Sequence, residues 1–316
     1  MARKRTLGGA RSFNTFGLFR DHETDWLFKR TLAYMNNRCA ETGECLEAAR
    51  HIDETDAESW IRVWADLAAR VEAQGDESLS GGHRQSARDS FLRAMNYYRS
   101  AEYACTPTHP RFHELWRKSV ACMGKAAPLF PSSLIKVEVP FEKYLLPGYF
   151  WRPAEDGILR PTLILAGGTD SSLEEMMMSA GPAVVERGYN LFSFDYPGHR
   201  GAVHLYPDCV RRPDYEVPFA RAMDFLQGLP GTDSRIALAG FSFGGYVAAR
   251  VAVHEKRLSA VIPDSPIIDV PEIGAAIFRT PAAKLPRSVL EAFIQRRLKK
   301  SPITRNFLQY TAWLRG

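Results

Sequence analysis

The sequence predicts an α/β protein: a doubly wound, mostly parallel sheet preceded by an all-helical N-terminal region. Two patterns carry that expectation. Residues 20–130 place apolar side chains at helical spacing. From residue 131 onward, short apolar runs alternate with helical stretches across turns that contain glycine. The chain therefore divides into a basic tail (1–19) expected to be disordered, a helical region (20–130) and a sheet-containing core (131–316).

The helical region is read first. Residues 56–73 set Ala57, Trp60, Ile61, Trp64, Leu67, Ala68 and Val71 on one face, behind a capping-box pattern at Thr55 and Glu58. The Gly- and Ser-rich stretch 75–82 is expected to end that helix. Further helices are expected over 26–39, 83–105 and 110–127. Paired helices could form a tetratricopeptide-like binding module, but no repeat recurs at a fixed period.

The pattern changes near Pro131. Ile135, Val137 and Val139 alternate with polar neighbours as in a half-buried strand, and residues 145–152 read as a second strand. Residues 162–166, 189–195, 235–240 and 258–263 are short apolar runs, suited to strands buried on both faces of a parallel sheet. Helical stretches at 172–187, 215–227 and 243–254 separate them. Residues 281–316 read as helical, with Leu290, Phe293, Ile294 and Leu298 on one side, and contain no strand pattern.

Bulk properties exclude several functions. At 316 residues, 45% hydrophobic and 24% charged, the chain can bury a full core. A net charge of +5 from scattered basic residues does not indicate nucleic acid. Cys39, Cys45, Cys105, Cys122 and Cys209 form no CxxC pair, so a zinc site is not expected and free thiols in a reducing cytoplasm are. The basic N-terminus lacks the apolar stretch of a secretory signal, with an organelle transit sequence as the weaker alternative. No apolar run reaches the ~20 residues of a membrane span.

Chemistry concentrates at Gly240-Phe241-Ser242-Phe243-Gly244, a G-x-S-x-G pattern between an apolar strand and a helix. In that context the glycines permit a sharp turn that lifts the Ser242 hydroxyl above the carboxyl edge of the sheet, at a helix N-terminus. Ala166-Gly167-Gly168-Thr169-Asp170 ends an earlier strand, and its backbone can approach a carbonyl oxygen. The expected oxyanion donors are the backbone N–H groups of Thr169, with Gly168 as the alternative, and of Phe243. In Phe194-Asp195-Tyr196-Pro197-Gly198-His199-Arg200-Gly201, Asp195, Pro197 and Gly198 read as loop-fixing residues, and His199 as a loop residue before a catalyst.

Together the GFSFGG elbow, the GGTDSSLEE loop and the FDYPGHRG segment resemble α/β hydrolases with an N-terminal helical cap. The similar groups are the 2,6-dihydropseudooxynicotine hydrolases, FrsA-like esterases and fungal polyketide-shortening hydrolases. The resemblance runs from about Trp26 to the last residue. It implies attack by Ser242 on an ester, or on a carbon–carbon bond beside a ketone, in an aromatic or polyketide-like small molecule. It implies no cofactor and no metal. A small-molecule substrate is the expected partner, with a homodimer left open.

The resemblance also implies an acid after a seventh strand and a histidine after an eighth, and neither strand is legible here. His254, the one histidine after Ser242, lies twelve residues along the elbow helix, roughly 18 Å away at about 1.5 Å per residue. Three explanations stay open: a fragment of a longer hydrolase; a substitute base (His199 or His204) with an acid at Asp264 or Asp269; or a non-catalytic relative acting as a binding or scaffold protein. His199 should sit two strands from the elbow, roughly 10 Å at ~4.8 Å per strand. Trp60, Tyr98 and Trp116 could line a pocket, although helical spacing already explains them as core; the Met176–Met178 run has the same two readings.

Overall fold

The computed structural model describes residues 16–264 and 286–316. The front region consists of α1 (His22–Ala33) with a 3-10 turn (Tyr34–Asn37), α2 (Thr42–Arg50), α3 (Ala57–Ser80), α4 (Arg84–Tyr103) and α5 (Phe112–Ala126). Then follow β1 (Ser133–Phe141), β2 (Tyr144–Arg152), β3 (Arg160–Ala166), α6 (Leu173–Glu186), β4 (Asn190–Phe194), α7 (Arg200–Leu205) and α8 (Glu216–Gln227). The chain continues through β5 (Thr232–Phe241), α9 (Phe243–His254), β6 (Leu258–Asp264), α10 (Arg287–Lys300) and α11 (Pro302–Trp313).

The six strands form one sheet in the order β1-β2-β4-β3-β5-β6. β3, β4, β5 and β6 run parallel, and β2 pairs antiparallel with both β1 and β4. The predicted sheet is therefore present, mixed at the β1–β2 end. Alternation along each strand divides the interior in two. Tyr149, Trp151, Leu165, Leu191 and Ala239 face a core built with the front helices, α6 and α11. Their neighbours Phe150, Ile164, Phe192 and Leu238 face α8 and α9. The front helices thus share one apolar core with a sheet face.

Several sequence expectations shift for physical reasons. The stretch 75–82 ends α3 as expected, at Ser80 with Gly81 as its C-cap, but Gly75 lies inside the helix, where a Cβ would stand 2.6 Å from Cε1 of the buried Phe91 ring. The glycine marks a close helix–helix approach. Asp56, not Thr55, caps α3, its side chain accepting from the Glu58 N–H. Helix α2, too short and polar to show a period, was not expected, nor was the six-residue α7. Residues 16–19, assigned from sequence to the disordered tail, are tied down: the Asp25 carboxylate accepts from the N–H groups of Gly17, Leu18 and Phe19 at 3.0, 2.8 and 3.1 Å. The Phe19 ring also meets Phe28 and Trp60 edge-on. α11 falls in the 131–316 segment yet packs on the front: Phe307 stacks on Tyr103, and the Asn306 amide donates to the Ala104 carbonyl at 2.7 Å. Of the apolar positions expected on one side of α10, Leu290, Phe293 and Ile294 have side chains outside the described residues.

The five cysteines are free and buried. Among the described residues no cluster suits a metal ion, and no helix is long and apolar enough to cross a membrane.

Candidate active site

The site is built at the carboxyl ends of β3 and β5. β5 ends at Phe241, α9 begins at Phe243, and Ser242 between them holds φ 55° and ψ −117°. A non-glycine residue at positive φ carries strain, and here the flanking glycines make it attainable. A Cβ on Gly240 would collide with the Gly244 carbonyl, and one on Gly244 with the Ala166 carbonyl. No side chain fits at either position. The Ser242 N–H donates to the Asp264 carbonyl on β6 at 3.0 Å, and its own carbonyl accepts from Gly245 at 2.8 Å. The elbow is thereby fixed on both sides while the Ser242 side chain stays exposed. Phe243 opens α9, where first-turn N–H groups have no acceptor within the helix.

The glycine turn after β3 faces this elbow. A Cβ on Gly168 would stand 3.2 Å from both the Ser242 Cβ and the Phe241 carbonyl oxygen, so glycine makes this close approach easy and a side chain would crowd it. Inside the turn, the Ser171 N–H donates to the Gly168 carbonyl at 3.3 Å and the Gly168 N–H donates to Ser171 Oγ at 3.0 Å. Gly168 is occupied. The Thr169 N–H has no acceptor among the described residues. The Tyr196 hydroxyl donates to the Gly167 carbonyl at 2.7 Å, and the Tyr310 hydroxyl, from α11, to the Thr169 carbonyl at 3.5 Å.

The elbow and the turn, separated by some 70 positions in the chain, are thus brought together. Among the described residues, no substitute acid or base candidate has its side chain hydrogen-bonded to the Ser242 hydroxyl. His199 Nδ1 bonds the Asp195 carboxylate, the ring stacks on Tyr196, and its buried Nε2 has no hydrogen-bond partner among the described residues, Ser242 included. A Cβ on Gly167 would lie 2.5 Å from that Nε2, which explains the glycine. Gly201 is likewise required, since a Cβ there would strike Asp195. His204 belongs to another cluster: Nδ1 meets His113 Nδ1 at 2.8 Å, Nε2 meets Glu102 at 3.4 Å, and the ring stacks on Trp116. Asp264 contributes its carbonyl to the elbow and leaves its side chain exposed. Asp269 lies outside the described residues. His254 sits at the far end of α9, 3.9 Å from Glu216.

A buried ionic network behind the glycine turn escaped the sequence reading. Arg30 of α1 donates to Asp170 Oδ2 at 2.7 Å and forks onto Glu175 at 2.7 and 2.6 Å. Arg99 of α4 approaches Glu175 at 3.1 Å. Arg200 of α7 pairs with Glu102 and donates to the Asp170 carbonyl at 3.1 Å. Tyr103 donates to Asp170 Oδ2 at 3.3 Å. Burial drives Glu175 upward, but Arg30 and Arg99 outweigh it and hold its carboxyl below the usual range. Its neighbour Glu174 has no such partner. Burial and the nearby Asp195 push Glu174 up to about 8. Burial, with Arg200 second, holds His204 well below the ordinary histidine value. The sequence held one faint signal: Arg99 and Glu102 stand among the small and aromatic residues of 94–103, every one of which is buried, themselves included.

The pocket aromatics resolve as core. Trp60 is fully buried and donates through Nε1 to the Ser100 carbonyl at 2.8 Å; Tyr98 donates to Glu72 at 2.8 Å. Trp116 is half-buried against His204. Met176, Met177 and Met178 are buried in α6.

With this geometry established, comparison with known proteins is informative. The alpha/beta hydrolase family profile matches residues 182–315. The chain is 34% identical over 251 residues to the 20-hydroxy-prefusarin hydrolase FUS2 of Gibberella moniliformis, covering 76% of this chain and 60% of that protein. It is 30% identical over 308 residues to the hydrolase acrC of Aspergillus aculeatus, covering 89% of this chain and 69% of acrC. It thus spans about three-fifths of the length of FUS2. The crystal structure of the 2,6-dihydroxy-pseudo-oxynicotine hydrolase superposes with a TM-score of 0.67 at 22% identity, over 89% of this chain and 75% of that one, which shows a shared fold. The elbow, the strand order and these relatives agree: the chain belongs to the α/β-hydrolase family.

Proposed function

We propose that the protein is a serine-nucleophile hydrolase of small molecules, acting on an ester or on a carbon–carbon bond beside a ketone in an aromatic or polyketide-like substrate. The observation that carries this reading is Ser242 itself. It is exposed, held at positive φ by two obligatory glycines, and set against Gly168 of a turn whose next N–H has no acceptor among the described residues. The Ser242 hydroxyl attacks the carbonyl carbon and passes its proton to a base. The tetrahedral oxygen takes its negative charge between the Thr169 and Phe243 N–H groups. The leaving group departs as an alkoxide, or as an enolate stabilised by the neighbouring ketone, and water hydrolyses the acyl-enzyme. The printed name of the relative FUS2, a 20-hydroxy-prefusarin hydrolase, supports a small organic substrate.

One observation favours the rival reading, a non-catalytic binding protein: none of the eight histidines, all among the described residues, hydrogen-bonds Ser242. Added imidazole separates the two. With a p-nitrophenyl ester and with an aryl 1,3-diketone, the hydrolase reading expects Ser242-dependent turnover that rises with imidazole and is lost in Ser242→Ala. Removing a triad member elsewhere leaves roughly 10³–10⁴-fold catalysis over water, so the signal stands above background. Equal rates for the wild type and Ser242→Ala at every imidazole concentration would assign the protein to binding.

A further inference from the structure

We propose that Arg30, reaching from the helical front, is a positioning residue for the Thr169 N–H, so that the front region sets how well the site stabilises an oxyanion. The inference rests on the reading of Thr169 as an oxyanion donor. Within the glycine turn, two hydrogen bonds join Gly168 and Ser171. They fix its ends and leave the Thr169–Asp170 stretch to be held from outside. Arg30 does this with one planar group. Nη1 donates to Asp170 Oδ2 at 2.7 Å, while Nε and Nη2 grip the two Glu175 oxygens at 2.7 and 2.6 Å. Glu175 is itself anchored, as the third residue of the α6 capping box with Ser172 and as the partner of Arg99. The guanidinium fork therefore sets the distance between the turn and the helix that follows it.

Two further contacts hold Asp170 in the same place. Tyr103 Oη donates to Oδ2 at 3.3 Å, and Arg200 Nη2 donates to the carbonyl at 3.1 Å. Arg30 and Tyr103 come from α1 and α4 of the front region and Arg200 from α7 of the sheet core, which also holds the turn. The side chains are 13% exposed for Arg30 and 2% for Glu175, so the bonds act in a low dielectric where displacement is costly. Arg30 and Arg99 face Asp170 and Glu175, two positive groups against two negative ones. That balance suits alignment better than recognition of a charged ligand.

Misplacing a reacting or stabilising group by about 1 Å can cost 10²-fold, and deleting an oxyanion donor costs about 10²–10³-fold. The test uses the full chain, a fluorophosphonate and selective ¹⁵N-threonine labelling. Arg30→Lys keeps the charge but cannot span both carboxylates; Tyr103→Phe removes one bond to Asp170 with little change of shape. The inactivation rate constant kinact should fall about 10- to 100-fold in Arg30→Lys and a few-fold in Tyr103→Phe. KI should stay within about twofold, because the oxyanion exists only in the transition state. The Thr169 amide resonance should move in both variants. Wild-type kinact in a folded Arg30→Lys protein, or an unmoved Thr169 amide in both variants, would overturn the proposal. A wild type that never reacts would instead overturn the hydrolase reading, with the amide shifts still deciding what Arg30 positions.

Discussion

Replacing Ser242 tests the strain in the elbow as well as the chemistry. At φ 55° and ψ −117° a side-chain-bearing residue is held where such residues rarely sit, at a cost of about 1–3 kcal/mol. Ser242→Gly removes that cost and adds about 0.4–1 kcal/mol of unfolded-state entropy. The net gain lies between about 0 and 2.6 kcal/mol. Ser242→Ala keeps the Cβ and the strain. Both variants preserve the Ser242 N–H bond to Asp264, and the exposed position removes packing from the comparison. Glycine should therefore be more stable than alanine here by about 1 kcal/mol, the reverse of the usual order, in which alanine leads by about 0.5–1 kcal/mol. Urea unfolding followed by tryptophan fluorescence measures it, with a common slope required for both variants. Alanine equal to or more stable than glycine would refute the claim that the serine is held under strain.

Three other outcomes follow from the same geometry. Gly75→Ala should destabilise although it places alanine in a helix, where it ordinarily gains about 1 kcal/mol, because the Phe91 ring 2.6 Å from the new Cβ is fully buried; a raised melting temperature would contradict this. Glu174 holds its proton up to about pH 8 in the folded chain and only to about 4.5 when unfolded, so stability should fall as pH rises between those values, by at most about 1.4 kcal/mol per pH unit. Glu174→Gln should flatten that slope in urea midpoints taken from pH 5 to 9, and an unchanged slope would count against burial as the cause. His204 is kept neutral by burial, so the unfolded chain takes up a proton that the folded chain refuses, and stability should drop as pH falls below about 6.5. His204→Phe, set among Phe112, Trp116 and Trp313, should lessen that acid loss; an identical acid profile would remove His204 from it.

What was legible in the sequence had a local cause. The inner strands announced themselves as apolar runs because their faces are buried, as in β4, where every residue is; β6, expected to be the same kind of strand, has no buried residue among those described, because it pairs only with β5 there. The elbow was legible because G-x-S-x-G expresses a steric demand within five residues, and the collisions at Gly240 and Gly244 show that demand met. The sequence offered Thr169 over Gly168 as the oxyanion donor only as a preference; what the folded turn adds is that the Gly168 N–H is taken by Ser171 Oγ. Long-range matters stayed hidden. Gly75 reads as part of a helix-ending stretch, yet it sits inside α3, where it admits the Phe91 ring. The arginine network was missed because Arg30, Arg99 and Arg200 are far apart in the chain and acquire their role only when α1, α4 and α7 converge on Asp170 and Glu175.

Site-resolved fluorophosphonate labelling reaches the central claim most directly. Intact mass followed by peptide mapping should find one adduct, on the peptide bearing Ser242, absent from Ser242→Ala and slowed in Gly168→Ala, whose methyl group would crowd the serine. A folded protein that remains unmodified at residue 242 after prolonged exposure, or one modified at some other hydroxyl, would contradict a poised nucleophile at the rim of the sheet.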